Sequence, residues 1–232
     1  IDRNENGKYD EGEEVTVFNK SLHFPHEAKV ITVYGNVLNF FCYANSLTAL
    51  DISQCPDLEI LDASDNKLAT IDLSKNGKLR ALTLHGNMLT AVDLSYTPHL
   101  FRFYCNKNKL TQLDLSKTPD LVQLRCGRNE LTQLDVSKLT QLKYFDCTGN
   151  KLTTLDVTHS EDLTNLLCAD NQLTSLDLKA CADLEELTCY NNKIASAIDF
   201  TNCKVIREVS LFGNQIQSKE MLQTVSSLPQ NE

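Results

Sequence analysis

The chain has 232 residues, a formal net charge of -9 and an isoelectric point near 5.1. This acidic balance argues against a nucleic-acid partner, because nucleic-acid-binding domains carry clustered Lys and Arg. No apolar run approaches the roughly 18 residues that a membrane-spanning helix needs, so we expect no membrane span in this chain.

A calcium-loop pattern, D-x-[DN]-x-[DN]-G-x5-E, stands at residues 2–13. In such a loop, oxygen ligands at six places converge on one cation, and a glycine, here Gly7, turns the chain sharply. The six ligand places hold Asp2, Asn4, Asn6, Lys8 (through its carbonyl), Asp10 and Glu13. The pattern predicts a structural calcium site; the alternative is an acidic turn that matches by chance.

The loop resembles those of EF-hand proteins but departs from them on both sides. No entering helix precedes it, and residues 15–18 favour a strand rather than an exiting helix. A single loop of the dockerin kind is therefore the nearer resemblance, and it implies that calcium fixes the amino-terminal cap. We place this cap at residues 1–36, whose scattered apolar residues are expected to cover the open end of the core that follows.

From Val37 onward the chain repeats a 21-residue pattern, which reads L-x-x-L-x-C-x-x-N-x-L-T-x-L-D-V-S in the copy that begins at Leu121. A period of about 20 to 29 residues on this pattern is the signature of leucine-rich repeats. The chain resembles the 21-residue bacterial subclass, sometimes called the IRREKO type. The resemblance implies a repeat solenoid: a right-handed superhelix with a parallel β-sheet on its concave face and little regular helix. It also implies a bacterial protein that is exported or displayed at the cell surface.

Three residue types, Asn, Asp and Cys, recur at fixed places of the repeat and form ladders along the solenoid. Asn occupies the ninth place of every coil, from Asn45 to Asn214, where we expect its amide to satisfy buried backbone groups. Asp recurs at the fifteenth place, and we expect each carboxylate to accept hydrogen bonds at the following turn. The alternative is a row of cation sites along the convex side. Cys fills the sixth place in most coils, where a thiol behaves as a small buried hydrophobe.

Two further cysteines, Cys181 and Cys203, share another place one coil apart. A disulfide between them is conceivable, although stacked coils rarely offer the required geometry. The sequence leaves their redox state open.

The repeat ends at residue 216 and is followed by a short helix and tail, residues 217–232. Residues 195–204 carry one residue too many for the pattern, after which a last half coil begins at Ile206. Ser218 is expected to cap a helix that Pro229 ends. Its apolar residues, Met221, Leu222, Val225 and Leu228, fall on one face and are expected to cover the last coil.

A candidate binding surface lies at places 3, 5 and 7, which alternate outward from the predicted sheet. On three consecutive coils this surface and its rim carry Arg102, Tyr104, Arg125, Arg128, Tyr144 and Asp146. Tyr and Arg are enriched at interface hot spots. We predict a macromolecular recognition module that binds protein through the concave face; the plain alternative is that Arg and Tyr merely cover the sheet.

Other functions receive less support from the sequence. Glycan binding is the second hypothesis, because Tyr104, Tyr144 and Tyr190 could stack on sugar rings, and a passive spacer is the third. The five histidines are not grouped with a carboxylate and a nucleophile, and no catalytic motif is present, so we expect no enzyme. We also expect a monomer.

Overall fold

The computed structural model describes residues 30–229, and within this range the chain is a parallel β-solenoid. One sheet contains nine strands in the order in which they follow along the chain, and two further strands, β1 and β3, form a second parallel pair. The strands are β1 Val30–Tyr34, β2 Asn39–Phe41, β3 Ala49–Gln54, β4 Ile60–Asp62, β5 Ala81–Thr83, β6 Arg102–Tyr104, β7 Gln123–Arg125, β8 Tyr144–Asp146, β9 Asn165–Leu167, β10 Glu186–Thr188 and β11 Glu208–Ser210. One helix, α1 Ser218–Ser226, follows them. The predicted fold class is confirmed.

The strands of the large sheet are short because each coil contributes only three residues to it. The middle residue points into the core, and its two neighbours stand half exposed on the other side, as in β6, β7 and β8. Residues 21 apart are partners, so Phe103, Leu124 and Phe145 form one continuous row. The repeat therefore sets the register. We call the outward side of this sheet the sheet face.

The cysteine ladder lies inside the core. Cys105, Cys126, Cys147, Cys168 and Cys189 are fully buried free thiols, as the sequence predicts. Burial raises the pKa of Cys105 and Cys147 far above the ordinary range, so at neutral pH these groups stay protonated and unreactive. Cys181 and Cys203 are also free, and burial raises their pKa to about 12 and about 11 respectively.

The asparagine ladder supplies hydrogen bonds that tie one coil to the next. Asn129 is representative: its Nδ2 donates to the carbonyls of Cys105 and Cys126 at 3.1 and 2.9 Å, and its Oδ1 accepts from the N–H of Leu110 at 3.0 Å. The same bonds recur at the equivalent residues from Asn66 to Asn192. The predicted structural role is confirmed for the interior coils. In the first coil, Asn45 is exposed, and within residues 30–229 its side chain donates to one carbonyl, that of Tyr43.

The aspartate ladder is satisfied by its own turns. Asp72, Asp114 and Asp135 each accept a hydrogen bond from the N–H two residues later, at 2.8 to 2.9 Å. These backbone bonds, with a further bond from the Ser side chain, hold the pKa of all three carboxyls below its usual range. Because the folded-state pKa is lowered, the contribution to stability is present at neutral pH and is lost as the pH falls through that pKa. Among residues 30–229, no group of three His, Cys, Asp or Glu side chains could hold a metal ion.

Helix α1 differs from its prediction in two respects. Gln217, not Ser218, is the N-cap, and it makes no side-chain capping bond. Only part of the predicted apolar stripe packs: Leu228 lies against the core and Met221 is half-buried, whereas Leu222 and Val225 are 70% and 51% exposed. The buried residue is Thr224, whose Oγ1 accepts from the N–H of Ile198 at 3.0 Å. The irregular stretch at 195–204 has backbone N–H groups that need acceptors from the helix. These groups therefore determine which face of the helix packs.

The amino-terminal end is closed in part by β1. Ile31 and Val33 are buried and join the core, which agrees with a covering role for the apolar residues of the cap. The predicted calcium loop at residues 2–13 and the predicted strand at residues 15–18 lie outside the described residues. Among residues 30–229, no helix is long and apolar enough to cross a membrane.

Candidate functional site

The residues predicted to form a binding surface come together on strands β6, β7 and β8. The register places Tyr104 beside Arg125 and Arg125 beside Asp146, while Arg102 and Tyr144 flank Gln123. Five of the six predicted residues therefore lie on three adjacent strands of the sheet face: Arg102, Tyr104, Arg125, Tyr144 and Asp146. Arg128 lies apart from them, exposed on the turn that follows β7, where its backbone is left-handed with φ 54°.

Arg125 is held between two tyrosine rings. Its guanidinium carbon lies 4.8 Å from the ring centroid of Tyr104 and 4.6 Å from that of Tyr144. Both distances are within the range of cation–π attraction, which strengthens when the cation is shielded from water. The Nε atom of Arg125 is buried and has no hydrogen-bond partner among the described residues. The rings thus fix the guanidinium without satisfying its donors.

Gln123 and Phe101 complete the arrangement, and our prediction from the sequence omitted both. Gln123 Oε1 accepts from the hydroxyl of Tyr104 at 2.6 Å and from Nε of Arg102 at 3.2 Å. The guanidinium of Arg102 lies 5.4 Å from the ring centroid of Phe101. Place 3 in the repeat marks Gln123 as outward-facing, but nothing in the pattern shows that it accepts both bonds. We refer to Arg102, Tyr104, Gln123, Arg125 and Tyr144 as the Arg–Tyr cluster.

Asp146 has a local structural task beside the cluster. Its Oδ1 accepts from the N–H of Thr148 at 3.0 Å and so fixes the turn after β8. It forms no ion pair with Arg125 in the part of the chain that the structure describes, although the two are register partners. Gly127 is needed next to this turn, because a Cβ there would stand 2.8 Å from the carbonyl oxygen of Thr148.

Charges on the sheet face change sign along the solenoid. Two arginines stand in the middle with Asp146 beside them, whereas Asp62 lies on an earlier strand and Glu186 and Glu208 lie on later ones. Glu186 accepts from Nδ2 of Asn165 at 2.7 Å. Burial raises the pKa of the Tyr144 hydroxyl by more than the nearby Arg125 lowers it, so Tyr144 stays neutral at physiological pH. The Arg–Tyr cluster is therefore a basic patch between acidic neighbours.

A hollow of about 530 Å³ adjoins the cluster at the edge of the sheet. Phe101 and Val122 line it together with basic and acidic side chains, among them Arg80 and Asp120. Since Arg102 lies over the ring of Phe101, the hollow and the Arg–Tyr cluster share one boundary. The surface available to a partner thus extends beyond the three strands.

The remaining aromatic residues of the sheet face lie at its two ends. Tyr190 and Phe212 stack with ring centroids 4.5 Å apart and an interplanar angle of 5°. Phe41 and Tyr43 are exposed at the amino-terminal end. Neither pair contacts the Arg–Tyr cluster.

The fold and its ladders define the class of protein. Stacked coils of 21 residues with a parallel sheet on one side and buried asparagines at the turns are the features of a leucine-rich repeat protein. The chain has this fold, which confirms that part of the prediction; the 21-residue bacterial subclass stays a prediction. No protein-family model and no curated protein matches the chain.

Solved structures with the same fold come from several bacteria. The chain is similar to the functional domain of InlJ from Listeria monocytogenes, which includes a cysteine ladder. The two share 31% identity with a TM-score of 0.75, over 83% of this chain and 48% of that one. The match to a leucine-rich repeat protein from Leptospira interrogans (23% identity, TM-score 0.68) covers 83% of this chain and 65% of the Leptospira protein. The match to YopM from Yersinia enterocolitica (20% identity, TM-score 0.69) covers 80% of this chain and 40% of YopM.

The matches cover only part of the neighbouring proteins, and their sequence identities are low. The chain spans about half the length of the InlJ domain. The likeness of this chain to the Leptospira and Yersinia proteins shows a common fold and nothing more. The cysteine ladder that the InlJ structure includes has a counterpart here in the stacked thiols from Cys105 to Cys189.

Proposed function

We propose that the chain is a non-enzymatic recognition module that binds a protein partner through the Arg–Tyr cluster. The observation that supports this most is the placement of Arg125, which two rings orient and which no described residue pairs. Tyr and Arg in such a rigid arrangement give large contact area at a small cost in side-chain entropy. Solenoids offer extended surfaces of this kind for binding.

Protein is favoured over glycan by the packing of the aromatic rings. Sugar rings stack on open aromatic faces, but Tyr104 and Tyr144 each turn one face to Arg125, and Tyr190 stacks on Phe212. The basic centre with acidic neighbours is instead suited to a partner of complementary charge. We further propose that the protein is a monomer, exported or displayed at the surface of a bacterium, which the bacterial origin of its structural neighbours supports.

The direct test is a binding screen in which the cluster is removed. We expect the triple variant Arg102→Ala, Arg125→Ala and Tyr144→Ala to bind its partner at least about 100-fold more weakly, because hot-spot truncations cost 2 kcal/mol or more each. Purified wild type and variant are screened against surface proteins and glycans of the natural environment. Affinities for each hit are then measured by surface plasmon resonance.

The matched control removes the same kinds of side chain from another side of the solenoid. Lys75, Tyr96 and Lys117 are exposed and lie on three consecutive coils at the turns after the aspartate ladder. Changing all three to Ala should leave affinity within a factor of about two. Equal affinity in the cluster variant, with an unchanged melting temperature in both variants, would refute the proposed surface. A hit that is a glycan would favour the second hypothesis.

We also propose that the loop at residues 2–13 binds one structural calcium ion. Its carboxylates and amides stand at the ligand spacing of calcium loops, and extracellular modules of this type bind with dissociation constants of about 0.1 to 1 mM. We expect Glu13→Gln to weaken calcium binding at least about tenfold in isothermal titration calorimetry, because Glu13 supplies the bidentate ligand. Glu14→Gln, one residue outside the ligand set, is the control and should bind as wild type does. If the wild type binds no calcium at about 10 mM, ten times the weakest expected dissociation constant, the calcium proposal is refuted. The alternative hypothesis, an acidic turn that matches the pattern by chance, then stands.

A further inference from the structure

Arg125 lacks the partner that a shielded guanidinium normally has. Charged groups that leave water are paired or hydrogen-bonded, because desolvation without compensation is costly. Four exposed cations of the described residues pair with carboxylates, among them Lys78 with Asp57 at 2.6 Å and Lys151 with Glu130 at 2.9 Å. Arg125 makes neither an ion pair nor a hydrogen bond there. Its donors are available to a ligand.

The geometry of the rings restricts where that ligand binds. The rings of Tyr104 and Tyr144 lie 4.8 and 4.6 Å from the Arg125 guanidinium carbon and occupy space in which a further aromatic or apolar group could stack on it. Nε is buried, which leaves the terminal nitrogens in the plane of the group. In-plane donors of a guanidinium match the two oxygens of a carboxylate, which accept a pair of parallel hydrogen bonds.

Two like charges lie against the same tyrosine ring. The guanidinium carbons of Arg102 and Arg125 lie 5.8 and 4.8 Å from the ring centroid of Tyr104, and neither pairs with a carboxylate in the described part of the chain. Their mutual repulsion is relieved when an anion binds beside them. A second carboxylate of the ligand would reach Arg102.

The length of the acidic segment follows from its surroundings. The Arg–Tyr cluster spans three strands, and neighbouring strands lie about 4.8 Å apart, so it offers room for only a few residues. Asp62 on the one side, and Glu186 and Glu208 on the other, repel a longer acidic run. The site thus selects a short acidic stretch inside an otherwise neutral or basic sequence.

From these contacts we infer that the Arg–Tyr cluster recognises a protein segment carrying one or two adjacent carboxylate side chains, with Arg125 as the anchor and Arg102 as the second contact. This inference rests on the proposed function of the cluster. It adds the chemistry of the partner and the orientation in which its side chain binds.

The experiment uses the full chain and a display library of random 12-residue peptides. Peptides that bind the wild type but not the triple variant Arg102→Ala, Arg125→Ala and Tyr144→Ala are sequenced and synthesised. Each acidic residue is then replaced by its amide. We expect the selected peptides to carry one or two adjacent acidic residues, and the Glu→Gln or Asp→Asn peptide to bind roughly 10- to 100-fold more weakly.

A double-mutant cycle connects the loss to the anchor. On the variant Arg125→Gln, the acidic peptide and its amide counterpart should bind within a factor of about two of each other, because the carboxylate has lost its partner. On the control Arg207→Gln, which removes one arginine from an exposed pair with Glu185, the wild-type difference should persist. Melting curves of both variants show whether the fold is retained.

The other outcomes separate the two proposals. Peptides that depend on the cluster but bind equally well as amides would overturn the carboxylate assignment and leave the proposed function standing. A phosphoserine replacement that binds at least tenfold more tightly than Glu would overturn it in favour of phosphate recognition. Failure to select any peptide that depends on the cluster would contradict peptide recognition by this surface, and the inference would fall with it.

Discussion

Replacing Phe145 by Ala is expected to lower the free energy of unfolding by about 4 kcal/mol, since large-to-small changes of buried aromatic residues cost about 3 to 5 kcal/mol. Phe145 is fully buried in the middle of β8, between Leu124 and Leu166 of the adjacent coils. In a solenoid each coil contacts only its neighbours, so the resulting cavity lies in a coil that joins the two halves of the core. Urea denaturation followed by circular dichroism measures the change.

The control for this prediction is Phe212→Ala. Phe212 is 64% exposed on the last coil and stacks only on Tyr190, so its removal should cost about 1 kcal/mol. The dependence on urea is informative as well. If the two halves of the solenoid uncouple in Phe145→Ala, the slope m falls and the transition broadens. A loss below about 2 kcal/mol with an unchanged slope would contradict the expectation, because known substitutions of this kind cost more.

The repeat architecture could be derived from the sequence because one constraint recurs in every coil. The 21-residue spacing of Leu124, Phe145 and Leu166 places side chains of one kind in one row, and the structure has this register without exception from β4 to β10. The asparagines confirm the same logic, since an amide at a fixed turn meets the same carbonyls each time. The first coil is the exception: within the described residues, Asn45 donates to the carbonyl of Tyr43 instead.

The ends of the solenoid could not be derived in this way. Helical periodicity in residues 218–228 predicts an apolar contact, but the irregular stretch before it exposes the N–H groups of Ile198 and Phe200, which need oxygen partners. Thr224 and Ser227 provide them, at 3.0 Å each. Satisfying two buried donors outweighs covering Leu222 and Val225, because an unpaired buried N–H costs about 1 to 3 kcal/mol.

The candidate site was predicted in composition but not in geometry. The repeat shows that Arg102, Tyr104, Arg125 and Tyr144 face outward on adjacent coils, and the structure places them there. Which rings a guanidinium lies against depends on side-chain rotamers, and these follow from neighbours such as Gln123 rather than from spacing. Arg128 shows the opposite case: it is near in sequence, yet the left-handed turn takes it to the rim.

Asn129→Ala tests how far the polar ladder, rather than the apolar core, holds successive coils together. We expect a loss of about 3 kcal/mol in the free energy of unfolding, because the N–H of Leu110 is left buried without its acceptor and the three bonds that Nδ2 donates are removed. The carbonyls of Cys105 and Cys126 keep one amide each, from Asn108 and Asn150, which limits the damage.

The matched substitution for this test is Asn45→Ala, which removes the same amide from the first coil. Asn45 is exposed and, among the described residues, its side chain donates one bond, to the carbonyl of Tyr43, so the loss should stay below about 0.5 kcal/mol. Thermal and urea unfolding of both variants give the comparison. Equal losses at the two positions would mean that the amide acts through the local turn alone. A large loss confined to Asn129 means that each asparagine stabilises the coil before its own, so that coil-to-coil cohesion depends on the whole ladder.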